Sequence, residues 1–263
     1  MNRIAATHDL LFLVLDTLRY DVAAAEFAAG RTPHFSRLLP QGWERRHTPG
    51  SFTFAAHQAF FAGFLPTPAE AGADATRLFA CRFEGSETTG ATTKIVDADN
   101  WITALAAGGC RTFCIGGVGF FNLRTPLSRV LPGYFSESAW EMRFGVTERA
   151  STRYQFEHAA AWLDTLASEE RALLFINVSA LHQPNYFYLR DSGPDDLASH
   201  AAALRYVDSQ LPTLLAAFAR RERPAFFIIT SDHGTAYGDD GFHGHRLAHP
   251  SVWTVPYADG ILP

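Results

Sequence analysis

Ser231-Asp232-His233-Gly234 follows directly on the apolar run at residues 225–230. An aspartate and a histidine side by side where a buried strand ends can ligate one cation, because the chain is turning there and need not alternate its side chains. A carboxylate with a neutral imidazole suits Zn²⁺ or Mn²⁺. Four of the eleven histidines, His233, His243, His245 and His249, lie between positions 233 and 249. Metal or phosphate binding explains such clustering, with His243 and His249 read as ordinary surface histidines. Asp16 closes a second apolar run, residues 10–15. A carboxylate placed there costs desolvation energy unless it is paired or bound to a metal; Arg19 is the competing partner. Asp21 reads as a helix cap or a structural partner. A third run, residues 172–178, leads to His182. The segment 48–63 supplies a hydroxyl at the start of a helix, where the dipole favours anions and a metal would ease ionisation. Ser51 and Thr53 both qualify on chemistry alone.

The elements that must position these groups follow from the pattern of apolar residues. Runs apolar on consecutive positions, at 10–15, 111–115, 172–178, 225–230 and 251–257, suit strands buried on both faces. Residues 154–167 and 197–218 carry apolar residues at helical spacing, the second with Pro212 as a kink or break. Strands alternating with helices predict an α/β fold with a largely parallel sheet, and ligands then bind beyond the carboxyl ends of its strands. Residues 84–99 read as a long surface loop, Gly116-Gly-Val-Gly119 as a tight turn, and the 22 phenylalanines as core. Tyr186 and Tyr188 suit either a pocket lining or half-buried loop positions. No repeat or linker divides the chain, so residues 1–263 are expected to form one domain.

Composition narrows the function. The 263 residues carry 22 Lys and Arg against 27 Asp and Glu, a net charge of −5 with no basic run, which argues against nucleic acid as the main partner. A hydrophobic content of 47% with 19% charged residues excludes a disordered chain. Cys81, Cys110 and Cys114 are too few for a disulfide scaffold and read as buried small hydrophobes in a reducing compartment. The run 10–15 is too short for a leader or a membrane span. A soluble cytoplasmic protein starting near Met1 is therefore expected.

Taken in order, Leu15-Asp16-Thr17-Leu18-Arg19, the segment ending in Gly63, His182-Gln183-Pro184 and Ser231-Asp-His-Gly234 resemble the alkaline phosphatase superfamily, in its sulfatase-like branch. The resemblance runs through nearly the whole chain. It implies a three-layer fold, a largely parallel central sheet flanked by helices. It also selects Thr53, four residues before His57 and ten before Gly63, as the nucleophile. It implies a metal on Asp16, Thr53, Asp232 and His233, with His57 beside the substrate or the nucleophile, His182 and His245 near the substrate, and His182 and His245 sharing in catalysis. No Cys or Ser stands at position 53, so formylglycine sulfatase chemistry does not fit. A threonine nucleophile is similar to that of phosphoethanolamine and lipoteichoic-acid transferases. Val178, four before His182, leaves the second site of two-zinc phosphatases incomplete. The expectation is a hydrolase or transferase of small phosphate esters or diesters, using Zn or Mn, with Mg or Ca as other candidates. A sulfuryl-ester hydrolase without formylglycine and an inactive metal-stabilised scaffold are the rivals.

Overall fold

The computed structural model describes residues 2–63, 78–81, 93–96 and 100–262. In chain order these form α1 (Asn2–Thr7), β1 (Asp9–Leu15), α2 (Tyr20–Ala28), α3 (Pro33–Leu38), β2 (Glu44–His47) and α4 (Thr53–Ala62). Next come β3 (Leu78–Cys81), β4 (Thr93–Val96), α5 (Trp101–Ala107), β5 (Cys110–Ile115), α6 (Pro126–Val130), β6 (Glu137–Ala139) and α7 (Ser151–Leu163). The last are β7 (Arg171–Val178), α8 (Leu197–Arg220), β8 (Ala225–Thr230), β9 (Ala236–Tyr237), β10 (His243–Gly244), α9 (Pro250–Trp253) and β11 (Thr254–Ile261).

Seven strands make the central sheet in the order β2-β11-β8-β1-β7-β5-β6. β1 lies between β7 and β8, parallel to both, with Val14 in register with Asn177 on one side and Thr230 on the other. β5 and β6 continue the parallel part, while β11 and β2 add an antiparallel edge. β1 shows why its run is apolar at every position. Leu11, Leu13 and Leu15 enter the core formed with α2, α3, α7 and α8. Phe12 and Val14 enter the opposite core, formed with α4 and α5. Two helical layers thus sandwich one sheet, the three-layer α/β architecture expected from the sequence. The second core is an aromatic cluster: Phe175 of β7 meets Phe61 of α4 edge-on at 5.2 Å and Phe12 at 5.6 Å. Each such pair adds roughly 0.5–1.5 kcal/mol beyond its buried area. Together they fix α4, and with it Thr53, against the sheet.

Some boundaries differ from the sequence pattern. The run 251–257 splits: Pro250 opens a helical turn capped by the His249 side chain, and only from Thr254 does the chain extend as β11. α8 passes through Pro212 without ending, because its apolar face stays buried along all 24 residues. α7 ends at Leu163 rather than 167. Within 84–99, residues 93–96 form a strand paired in parallel with 78–81, and the remainder of that stretch lies outside the described residues. The Gly116–Gly119 turn is as expected: a Cβ at Gly117 would meet the Asn177 carbonyl at 2.5 Å, so only glycine passes this close to β7.

Candidate metal centre

The carboxyl ends of β1, β7 and β8 bring the predicted residues together. Asp16 leaves β1 and is followed by Thr17 at φ +65°, a left-handed turn that L residues adopt at a cost of about 1 kcal/mol. That turn aims the Thr17 N–H at Oδ1 of Asp232 (3.2 Å), which also accepts from the His233 N–H (3.0 Å). The Thr48 hydroxyl donates to the Asp232 carbonyl. His233 donates Nδ1–H to the Gly234 carbonyl (2.9 Å), leaving the Nε2 lone pair facing inward. Gly234 is required, since a Cβ there would lie 2.0 Å from the Ser251 carbonyl. Thr53 is the first residue of α4 and 3% exposed. Its Oγ1 stands 3.5 Å from Oδ2 of Asp16 and 3.4 Å from Nε2 of His233.

Whether a cation fits is decided by the buried carboxylates. Asp9 is paired with Arg221 at 2.7 Å, Glu26 with Arg31 and Arg205, and Asp208 accepts two backbone N–H groups. Among the described residues neither Asp16 nor Asp232 is paired with an arginine or lysine. Oδ1 of Asp16 and Oδ2 of Asp232 are buried without a hydrogen-bond partner. Nε2 of His233 is 3.9 Å from the first and 3.5 Å from the second. Ligand atoms of Asp16, Asp232 and His233 all lie within 4.8 Å of one another. Two buried, orphaned carboxylate oxygens beside an inward imidazole lone pair suit a divalent cation, since leaving them unpaired would cost several kcal/mol. In the metal-free protein, burial and then the neighbouring Asp232 raise Asp16 to about 6. Burial raises Asp232 to about 7 and lowers His233.

The remaining candidates divide. His245 stacks near His233 (ring centroids 4.6 Å) and meets His182 edge-on at 5.7 Å. Both are half-buried beside a cluster that is itself fully buried. His182 donates Nδ1–H to the Gln183 carbonyl (2.6 Å). His57 is more deeply placed. It is 0% exposed, its Nδ1–H donates to the Thr53 carbonyl (2.7 Å), and its ring is ringed by Phe60, Phe61, Phe121 and Phe175. The expectation that His57 touches substrate is therefore corrected. It lies one helical turn beyond Thr53 with Nδ1 3.8 Å from Oδ2 of Asp232, and burial holds it neutral, lowering it to about 3. Arg19 turns away from Asp16 to pair with Asp21 and Asp239. Ser51 lies outside the cluster and accepts the Arg246 N–H through its carbonyl (2.8 Å). His243 is exposed, and His249 caps α9 and pairs with Asp240.

Asn177 was not singled out from sequence. Its fully buried side chain donates Nδ2–H to Oδ2 of Asp16 (2.9 Å) and accepts the Val118 N–H at Oδ1 (3.2 Å). Both ends of the amide are engaged, so Oδ1 of Asp16 is turned toward Asp232. The signal was available: a lone amide near the end of an otherwise apolar strand. If Asp16 holds a divalent cation, Asn177→Ala is expected to weaken its binding roughly 10–100-fold, read with Zn²⁺ by competition with a chelator. Unchanged affinity would mean that Asp16 holds its orientation without the amide.

Comparisons with known proteins agree with this fold. The sulfatase family model matches residues 8–257. A whole-sequence search of curated proteins finds no match. Among solved structures, the C-terminal periplasmic domain of phosphoethanolamine transferase EptC from Campylobacter jejuni is similar, with TM-score 0.63 and 13% identity over 97% of this chain and 80% of that one. The EptC periplasmic domain from Escherichia coli in complex with Zn gives 0.60 and 12%, over 95% and 72%. Lipoteichoic acid synthase LtaP from Listeria monocytogenes gives 0.62 and 13%, over 97% and 66%. The periplasmic origin of the two EptC domains overturns the expectation of a cytoplasmic location. The grounds for that expectation also fall away. The run 10–15 is the sheet's central strand, so its length does not bear on a leader, and the buried thiols of Cys110 and Cys114 are inert core groups in any compartment. No helix among the described residues is long and apolar enough to cross a membrane.

Proposed function

The chain belongs to the sulfatase family, and from that premise we propose that it is a metal-dependent phosphoesterase or phosphotransferase working through Thr53. The observation that carries this reading is the pair of orphaned carboxylate oxygens on Asp16 and Asp232 facing Nε2 of His233, with Oγ1 of Thr53 3.4 Å from that nitrogen. A divalent cation bound to these groups would lower the pKa of the Thr53 hydroxyl and offset charge on phosphate oxygens; zinc and manganese suit the donors best, with Mg²⁺ and Ca²⁺ less suited.

In this reading Thr53 Oγ1 attacks phosphorus. A Thr53 O–P bond forms as its hydroxyl proton passes to water, the P–O bond to the leaving alcohol breaks, and the leaving oxygen takes a proton from an imidazole beside the cluster. His182 is the group placed for that proton, while His245, which burial keeps neutral, is placed to donate a hydrogen bond to a non-bridging oxygen. Asn177 holds Asp16, and His57 braces the first turn of α4 through the Thr53 carbonyl. Water or an acceptor alcohol then attacks the phosphothreonine and returns the hydroxyl, so hydrolase and transferase differ only in the acceptor.

Matched 4-nitrophenyl phosphate, phosphodiester and sulfate esters on zinc- or manganese-loaded protein test the reaction. The expected result is cleavage of a phosphate ester at least about tenfold faster than the sulfate, abolished by a chelator. Preferential cleavage of the sulfate would favour a sulfuryl-ester hydrolase, and no cleavage of any ester would favour a metal-stabilised scaffold.

A further inference from the structure

Arg246 follows His245 directly and is held by its backbone. Its φ of +67° is left-handed, and its N–H donates to the Ser51 carbonyl (2.8 Å). A strained backbone at a non-glycine residue beside a catalytic cluster marks a position where the side chain is being aimed. The guanidinium lies over the Phe52 ring, 4.9 Å from its centroid, and Phe52 immediately precedes Thr53. Among the described residues no carboxylate lies within ion-pair distance of Arg246. The two nearby acids of its own hairpin are engaged, Asp239 by Arg19 and Asp240 by His249. Its charge is nevertheless felt at His233 and His245, which it disfavours as cations.

The position separates two anion sites. A reacting phosphorus must reach Thr53 Oγ1, which is buried and faces Asp16 and His233. Arg246 is exposed and rests on half-buried Phe52, the residue before Thr53. An aromatic ring beneath a guanidinium holds its plane and leaves the fork of N–H donors free to bind an oxyanion in bidentate fashion.

We propose that Arg246 on the Phe52 ring is a subsite for a second anionic group of the substrate, a phosphate or carboxylate set apart from the reacting phosphorus. This rests on the phosphoryl-transfer reading of Thr53. It distinguishes the preferred substrate from esters that end in an ammonium or a neutral alcohol, which gain nothing from a guanidinium there.

The test is calorimetric binding of three probes to the zinc-loaded full chain: propylphosphonate, 3-aminopropylphosphonate and propane-1,3-bisphosphonate. The bisphosphonate is expected to bind at least about tenfold tighter than propylphosphonate, and the aminopropyl compound no tighter. Arg246→Gln, which keeps the side chain over Phe52 without its charge, is expected to remove the preference, and Arg246→Lys to restore part of it. Equal binding of the two phosphonates by the wild type, or a preference that Arg246→Gln leaves in place, overturns the subsite. Because the readout is binding, a protein that keeps the preference yet cleaves no phosphate ester would sink the reaction and leave the subsite standing.

Discussion

Thr53→Ala is expected to lower kcat for phosphate-ester cleavage by at least about 10³-fold, with Thr53→Ser retaining much of the wild-type rate. The reason is geometric. Thr53 is the residue where three constraints meet: the first turn of α4, the Asp16 carboxylate at 3.5 Å and His233 Nε2 at 3.4 Å. Its side chain is buried, so a water cannot take its place without the same contacts. Alanine removes the hydroxyl while leaving Asp16, Asp232 and His233 in position, so the variant should still bind metal. The wild type, quenched in acid during turnover, is expected to carry one phosphoryl group on the peptide containing Thr53, found by mass spectrometry. Full turnover by Thr53→Ala would contradict the covalent route.

The second large effect runs opposite to the usual cost of altering a buried residue. In metal-free protein Asp232→Asn is expected to be more stable than wild type at pH 8, by a few kcal/mol. Burial raises the Asp232 carboxyl to about 7 from its ordinary 3.8, so between those values the folded chain holds a proton that the unfolded chain has released. Stability attached to that proton is fully present below about pH 4 and is lost as pH rises through 7. Asparagine stays neutral throughout, and its carbonyl can still accept from the N–H groups of Thr17 and His233. The two proteins should therefore unfold alike near pH 4 and diverge upward, by about 5–10 °C in Tm at pH 8. His57, His200 and His245 are lowered to about 3 by burial and act in the opposite sense, but they are common to both proteins and cancel in the difference. Saturating zinc should reverse the order, because the wild type gains binding free energy that the variant has lost. A metal-free wild type more stable than Asp232→Asn at pH 8 would mean that the Asp232 charge has a partner in the protein itself.

Much of this centre is legible in the sequence because parallel strands buried on both faces are apolar at every position. Such a run reveals its own end, and Asp16 and Asp232-His233 stand where two of those runs stop. Residues 225–230 match β8 at both ends for that reason. Hydrophobic pattern carries no direction, so nothing in 251–257 announced that β11 would run antiparallel, nor that Pro250 would first open a helical turn. His57 illustrates a different limit. Its spacing from Thr53 placed it on the right helix, one turn on, but a helical turn also sets which way the ring faces, and the phenylalanines around it decided for the core. Asn177 and Arg246 escaped because their roles depend on neighbours distant in sequence, Asp16 and Val118 for one, Ser51 and Phe52 for the other.

Asp16, Asp232 and His233 are proposed to hold a divalent cation against Thr53. Metal content by mass spectrometry, on purified wild type beside Asp232→Asn, tests it most directly. The wild type is expected to carry one zinc or manganese per chain and the variant to lose it. No metal in either protein, even after incubation with Zn²⁺, Mn²⁺, Mg²⁺ and Ca²⁺, would contradict it.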